Sequence, residues 1–172
     1  MLIRKTTMAL VAILLLATFN ACQKETSSKG TTNLKVRLTD SPFNASEVNI
    51  DIRQVRVSVG DSSAWVDLNT HASIYNVLGL QNGVDTLLAT GVVPTGPLNE
   101  IRFVLGSDNS IVIDSVEYPL TVPSGSESGL KIKVDRALNA SVDSLLIDFD
   151  ATLSIIKTGN DKYILKPVIK IK

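Results

Sequence analysis

One cysteine and one histidine are all that 172 residues contain. A structural disulfide needs a second cysteine, and a zinc site needs several His or Cys ligands, so neither is built from this set. His71 is the single imidazole available for acid–base chemistry. It sits beside Asn69 and Thr70 in a polar stretch and reads as a surface residue. No Gly-x-Ser-x-Gly elbow and no Gly-x-x-x-x-Gly-Lys phosphate loop occurs. Charge of one sign is missing as well: 17 basic residues face 17 acidic ones, which gives nucleic acid no electrostatic footprint. Only Met8 to Ala17 forms an unbroken apolar run, too short for a bilayer core that takes about 20 residues to cross.

What is present begins with that run. Arg4 and Lys5 precede it, Thr18-Phe19-Asn20-Ala21 follows it, and Cys22 comes next. A charged start, a short apolar centre and a small residue at the cut make a secretory signal over residues 1–21. A cysteine directly after the cut resembles a bacterial lipoprotein signal, in which the thiol receives a diacylglyceryl group. Phe19 and Asn20 depart from the usual lipobox, and Ala21 conforms to it. Plain signal cleavage would instead leave Cys22 an unpaired thiol in an oxidising compartment. The reading chosen is lipid attachment at Cys22, with at least two acyl chains (palmitate among them), enough to hold the protein stably on a membrane. Gln23 to Thr32 is polar throughout and cannot bury enough surface to order itself, so residues 22–33 are expected to be a tether. Cys-Gln-Lys-Glu also resembles a short surface-export signal of some Bacteroidetes lipoproteins; a plain solvated linker fits the same residues.

Without residues 1–21, 151 residues remain, enough for one domain, placed at 34–172. The charge is unevenly spread. Leu38 to Leu130 carries three basic and eleven acidic residues, whereas Lys131 to Lys172 carries eight basic and five acidic.

Along that domain the apolar period is two. Leu34, Val36 and Leu38 alternate with polar residues and stop at Asp40-Ser41-Pro42. Val48, Ile50 and Ile52 alternate, and the pattern resumes one step out of phase at Val55, Val57 and Val59; a phase slip inside a strand marks a bulge near Arg53-Gln54. Gly60 to Ser63 reads as a turn, Trp65 to Leu68 as a short strand with Trp65 in the core in preference to a stacking platform for a sugar ring, and Ile74 to Leu80 as a strand or one helical turn, the strand being favoured. Val93 to Pro97 reads as a rigid turn before a strand through Ile101, Phe103 and Leu105. Asp114-Ser115 makes a tight hairpin between Ile111–Ile113 and Val116–Tyr118. Strands follow through Leu130–Val134, Leu145–Phe149 and Tyr163–Ile171, the last holding Pro167, which confines it to an edge or a bulge. Eight to ten strands without a long helix predict an antiparallel β-sandwich.

Two places on that sandwich are candidates for chemistry. Asp148 and Asp150, at i and i+2 of one strand, share a face with Cα atoms about 7 Å apart. They suit an ion-pair ladder with Lys131, Lys133, Lys166 or Lys170, a calcium site built on carboxylate oxygens, or an acid–base pair; the ladder is the reading favoured. Ser124, Gly125, Ser128 and Gly129 form a loop able to present N–H groups and hydroxyls to an anion or sugar, and equally a mobile connection.

Leu38-Thr39-Asp40-Ser41-Pro42, Val93-Pro94-Thr95-Gly96, Ile101-Arg102-Phe103-Val104-Leu105, Val122-Pro123-Ser124-Gly125, Ser128-Gly129-Leu130-Lys131, Asp148-Phe149-Asp150-Ala151 and Leu165-Lys166-Pro167-Val168-Ile169 resemble, in order, the signature blocks of the bacterial lipoprotein family catalogued as domain of unknown function 4382. The resemblance implies an immunoglobulin-like or transthyretin-like sandwich behind a lipoprotein signal, and implies no activity. The expectation is a lipid-anchored module of a bacterial outer membrane that binds a glycan or an envelope protein, without catalysis and without a cofactor beyond calcium. The alternatives are a hydrolase using Asp148 and Asp150, or a spacer or assembly subunit.

Overall fold

The computed structural model describes residues 30–41, 43–60, 65–123, 130–139 and 141–172. The signal, Cys22, the Gly60–Ser63 turn past its first residue, and Ser124, Gly125, Ser128 and Gly129 lie outside them. In chain order the strands are β1 (Thr31–Asp40), β2 (Glu47–Val59), β3 (Trp65–Asp67), β4 (Asn69–Thr70), β5 (Ser73–Asn76), β6 (Thr86–Pro94), β7 (Gly96–Leu105), β8 (Ser110–Ile113), β9 (Val116–Thr121), β10 (Leu130–Leu138), β11 (Val142–Phe149), β12 (Ile155–Thr158), β13 (Lys162–Leu165) and β14 (Ile169–Ile171). One helical turn, α1 (Ala151–Ser154), precedes β12.

The strands form two sheets of an all-β sandwich. The first runs β14-β11-β1-β6-β4; the second runs β10-β7-β2-β8-β9-β13-β12, with β3 and β5 also paired to β2. Fourteen strands among the described residues exceed the eight to ten expected, because β4, β6 and β12 were not foreseen and the Tyr163–Ile171 stretch divides into β13 and β14. The sheets are mixed rather than wholly antiparallel: β1 pairs β11 in parallel, as β13 pairs β9.

Alternation builds the core as the sequence suggests. Leu34, Val36 and Leu38 of β1 are fully buried, alternating with exposed Asn33 and Lys35 and half-buried Arg37, and β1 starts at Thr31, three residues before the expected boundary. Thr32 is already buried, which draws the end of the expected tether into the sheet. Ile50, Ile52, Val55 and Val57 of β2 meet Leu98, Ile101 and Phe103 of β7 in the same core. Burying such a side chain stabilises by about 1.5–3 kcal/mol each. The β2–β7 register shifts between Ile52 and Gln54, the bulge that the phase slip marks.

Three local expectations change. Ile74 to Leu80 is not one strand: after Asn76 the chain turns into a 3-10 helix, Val77–Leu80, because the Asn76 side chain accepts from Leu78 N at 3.2 Å and from Val48 N at 3.3 Å. Tyr163 to Ile171 is two strands in different sheets. Between them Pro167 lacks an N–H, while Lys166 N donates to Ser154 O at 2.8 Å and Val168 N to Ser154 Oγ at 2.7 Å, so α1 holds the crossing. Trp65 is not core. It lies opposite Ser58, whose neighbours Val57 and Val59 point inward, so Trp65 faces out and Val66 takes the inward place.

Candidate functional site

The parallel pairing of β1 with β11 brings two strand ends to one side of the molecule. Asp40 lies opposite Phe149, and Thr39 opposite Asp148. On the other side of β11, antiparallel β14 sets Lys170 opposite Asp148. Four elements, β1, β11, β14 and α1, therefore converge there.

Asp148 is 1% exposed. Lys172 Nζ stands 3.2 Å from its Oδ1 and Lys170 Nζ 3.8 Å from its Oδ2, and the Ser41 hydroxyl lies 3.3 Å from both oxygens. Asp150 Oδ2 lies 3.5 Å from Lys170 Nζ. Its Oδ1 accepts from Leu153 N at 3.1 Å and caps α1, an acceptor placed where a helix start leaves N–H groups unpaired. One lysine thus spans both carboxylates, although only Asp148 lies in β11; Asp150 follows its last residue, Phe149, as the N-cap of α1. Of the lysines expected opposite them, Lys170 is present. Lys131 and Lys133 belong to the second sheet, across from Arg102 and Glu100, and Lys166 lies exposed in the β13–β14 crossing. Lys172 is the partner that strand alternation alone did not suggest.

Asp40 is the residue missed. Its Oδ1 accepts from Ala151 N at 3.3 Å and its Oδ2 from Gln81 Nε2 at 3.4 Å. Burial pushes its pKa up to about 6; the hydrogen bonds from Ala151, Gln81 and Ser41 oppose this, and the nearby Asp148 charge adds to it. The sequence marks Asp40 as a side-chain acceptor that ends a strand. The group it accepts from is 111 residues away, which no local pattern reveals.

A carboxyl titrating near 6 suits proton transfer, yet Asp40 is 3% exposed with both oxygens occupied by its own scaffold. The Asp148 and Asp150 oxygens face lysine ammonium groups. Among the described residues no three His, Cys, Asp or Glu side chains are arranged to hold a metal ion. What this arrangement does is bolt the ends of β1, β11 and β14 to α1.

A second buried carboxylate was also not foreseen. Asp51 is fully buried, with Oδ2 2.8 Å from Arg53 Nη2 and 3.3 Å from Asp108 N, and Gly106 N donates to its carbonyl at 2.8 Å. The Gly106–Asn109 loop wraps it, and Asn109 Oδ1 accepts from Asp51 N at 2.9 Å. His71 is exposed, its carbonyl taking the Tyr75 hydroxyl and its N–H donating to Leu88 O at 2.8 Å. One face of the Trp65 ring stacks on the Arg102 guanidinium, 4.1 Å from the ring centroid.

Among the described residues several concavities of about 390–460 Å³ remain, and two of them adjoin features already described. One, of about 460 Å³, lies over the Gly106–Asn109 loop between Asn49 and Glu117. The other, of about 440 Å³, runs between Ile132–Arg136 of β10 and Ile169–Ile171 of β14, the outermost strands of the two sheets.

The molecule is therefore an all-β, two-sheet sandwich whose buried carboxylates secure strand ends and whose sheets gape along one side. The model of a family described as a domain of unknown function (DUF4382) matches residues 31–167, and the chain belongs to that family. No curated protein and no solved structure matches the chain.

Proposed function

We propose that this protein is a non-catalytic binding module of a bacterial cell envelope, held on the outer membrane by acyl chains at Cys22 and engaging another envelope protein. The observation that carries the reading is the open side of the sandwich. There two strand edges and their apolar flanks stand beside a concavity, while the buried carboxylates Asp148 and Asp150 are committed to holding the scaffold. A protein ligand suits this better than a glycan: the one Trp, which would stack on a sugar ring, lies away from this groove and already has Arg102 against one face. The signal pattern before Cys22 supports the anchor.

The test uses the full chain in native membranes. Mass spectrometry of the mature N-terminus is expected to find Cys22 acylated, and cross-linking is expected to capture one recurrent partner in near-stoichiometric amount. A bare Cys22 would remove the anchor. Turnover of a substrate that Asp150→Asn abolishes without moving the Tm would replace the module by a hydrolase.

A further inference from the structure

We propose that the groove between β10 and β14 accepts an extended, acidic segment of a partner protein, which adds as a strand to the free edge of β10. The proposal rests on the binding-module reading above and names its site and ligand chemistry.

Three features point to this ligand. The first is backbone. β10 and β14 each have a hydrogen-bonded neighbour on one side only among the described residues. Lys172 N donates to Leu146 O at 3.0 Å, and strand alternation then turns the N–H and C=O of Ile169 and Ile171 away from β11, towards the groove. Consecutive residues line the groove on both strands, Ile132 to Val134 and Ile169 to Ile171, so it follows strand edges and not a sheet face.

The second is the floor. Ile132 and Val134 belong to the core, and Ile169 and Ile171 pack against it half-buried. Every other side chain of an added strand would rest on these apolar groups.

The third is charge. Lys133, Arg136 and Lys170 stand exposed on the groove, with Lys131 and Lys172 at its ends. Arg136 pairs with Asp143, and Lys170 and Lys172 pair with Asp148 or Asp150. Lys131 and Lys133 have no ion-pair partner among the described residues. An acidic residue at alternate positions of the added strand would meet them, and like charges would be repelled. The basic excess from Lys131 onward thus has a location.

Lysines on an edge strand also discourage indiscriminate pairing, and the experiment separates the two roles. Full-length protein in detergent micelles is titrated with a fluorescent nine-residue peptide alternating Val and Glu, matching the length of β10. Saturable binding is expected, at least about tenfold tighter than that of the Val/Lys peptide. Lys133→Glu, at an exposed site whose cross-strand neighbour is Glu100, is first checked by its melting curve to be folded, and is expected to weaken binding by about tenfold or more, or roughly 1.4 kcal/mol. N-methylation of the peptide main chain at one alternation phase is expected to abolish binding, and at the other to leave it nearly unchanged. Three results would overturn the proposal: no saturable binding, indifference to Lys133→Glu, or equal tolerance of both N-methylated phases. Self-association that Lys133→Glu dissolves would assign the edge to a second copy and overturn it too. If Lys133→Glu protein still captures the envelope partner in membranes, the module reading stands and the groove does not. If the wild-type chain captures none, the module reading falls.

Discussion

Asp40→Asn turns the most perturbed buried carboxyl into a measurable slope of stability against pH. The folded protein holds this proton with a pKa of about 6, against 3.8 for the free side chain. Between those values the native state binds more protons than the unfolded chain, so stability falls as pH rises. The contribution is fully present below about pH 3.8, is lost on passing pH 6, and is flat beyond. At 1.36 kcal/mol per pKa unit the gap amounts to at most about 3 kcal/mol, and about 1–2 kcal/mol is expected after residual solvent screening. Asparagine keeps the shape: its Oδ1 still accepts from Ala151 N, and the Gln81 amide rotates to accept from the new Nδ2. The variant should match wild type near pH 4 and exceed it by about 1–2 kcal/mol at pH 8. Urea unfolding of both proteins from pH 4 to 8 reads the difference, in which other carboxylates cancel, provided the m-values agree. A difference that does not change with pH, or a wild type more stable at pH 8, would show that Asp40 is ionised at no cost in the folded protein.

Removing both Lys170 and Lys172 by alanine substitution should cost about 3 kcal/mol at pH 7, because Asp148 is left buried without a cation; thermal melts check this, and Asp148→Asn in the same background should restore much of the loss. Gly106→Ala sets a Cβ 1.9 Å from Asp51 Oδ2 and should cost more than about 2 kcal/mol in urea unfolding, whereas Gly79→Ala, with nothing within 4 Å, should change stability by less than about 1 kcal/mol. Calcium at millimolar concentration should leave the Tm of the full chain unchanged, since lysine nitrogens stand against the Asp148 and Asp150 oxygens; a rise of several degrees would mean that calcium displaces them.

Strands were legible wherever one face is buried and the other wet. β1, β2, β10 and β11 all show period two, and the bulge in β2 shows as a phase slip. β6 was not, because Leu88 and Ala89 are buried side by side and its register with β1 shifts between Val36 and Arg37, which erases the alternation. Asp114-Ser115 announces its hairpin through residues that tolerate positive φ, here 50° and 65°. Thr95, by contrast, reads as a turn like any other, and only the strand order shows that it carries the chain from one sheet to the other. Asp148 and Asp150 meet one lysine, Lys170, as spacing predicts, though Asp150 lies just past the end of β11. Asp40 joins them only because β1 and β11 run parallel, and the orientation of two distant strands leaves no mark on either.

That parallel pair also explains why the charges segregate as they do. In an antiparallel arrangement the ends of β1 and β11 would lie at opposite poles, and Asp40 could not reach the first N–H groups of α1. Run side by side, the two strands collect three aspartates at one pole, and the chain must then supply cations close by. It does so from β14 and the residue after it, Lys170 and Lys172, which are spent on Asp148 and Asp150. Of the β10 cations, Arg136 is likewise spent on Asp143, but Lys131 and Lys133 have no such debt among the described residues. Lys131 and Lys133 lie across from Arg102 and Glu100 on an outermost strand, so their charge is directed outward along the open side. A scaffold role accounts for Lys170 and Lys172; only an acidic visitor, or the avoidance of one's own kind, accounts for the lysines of β10.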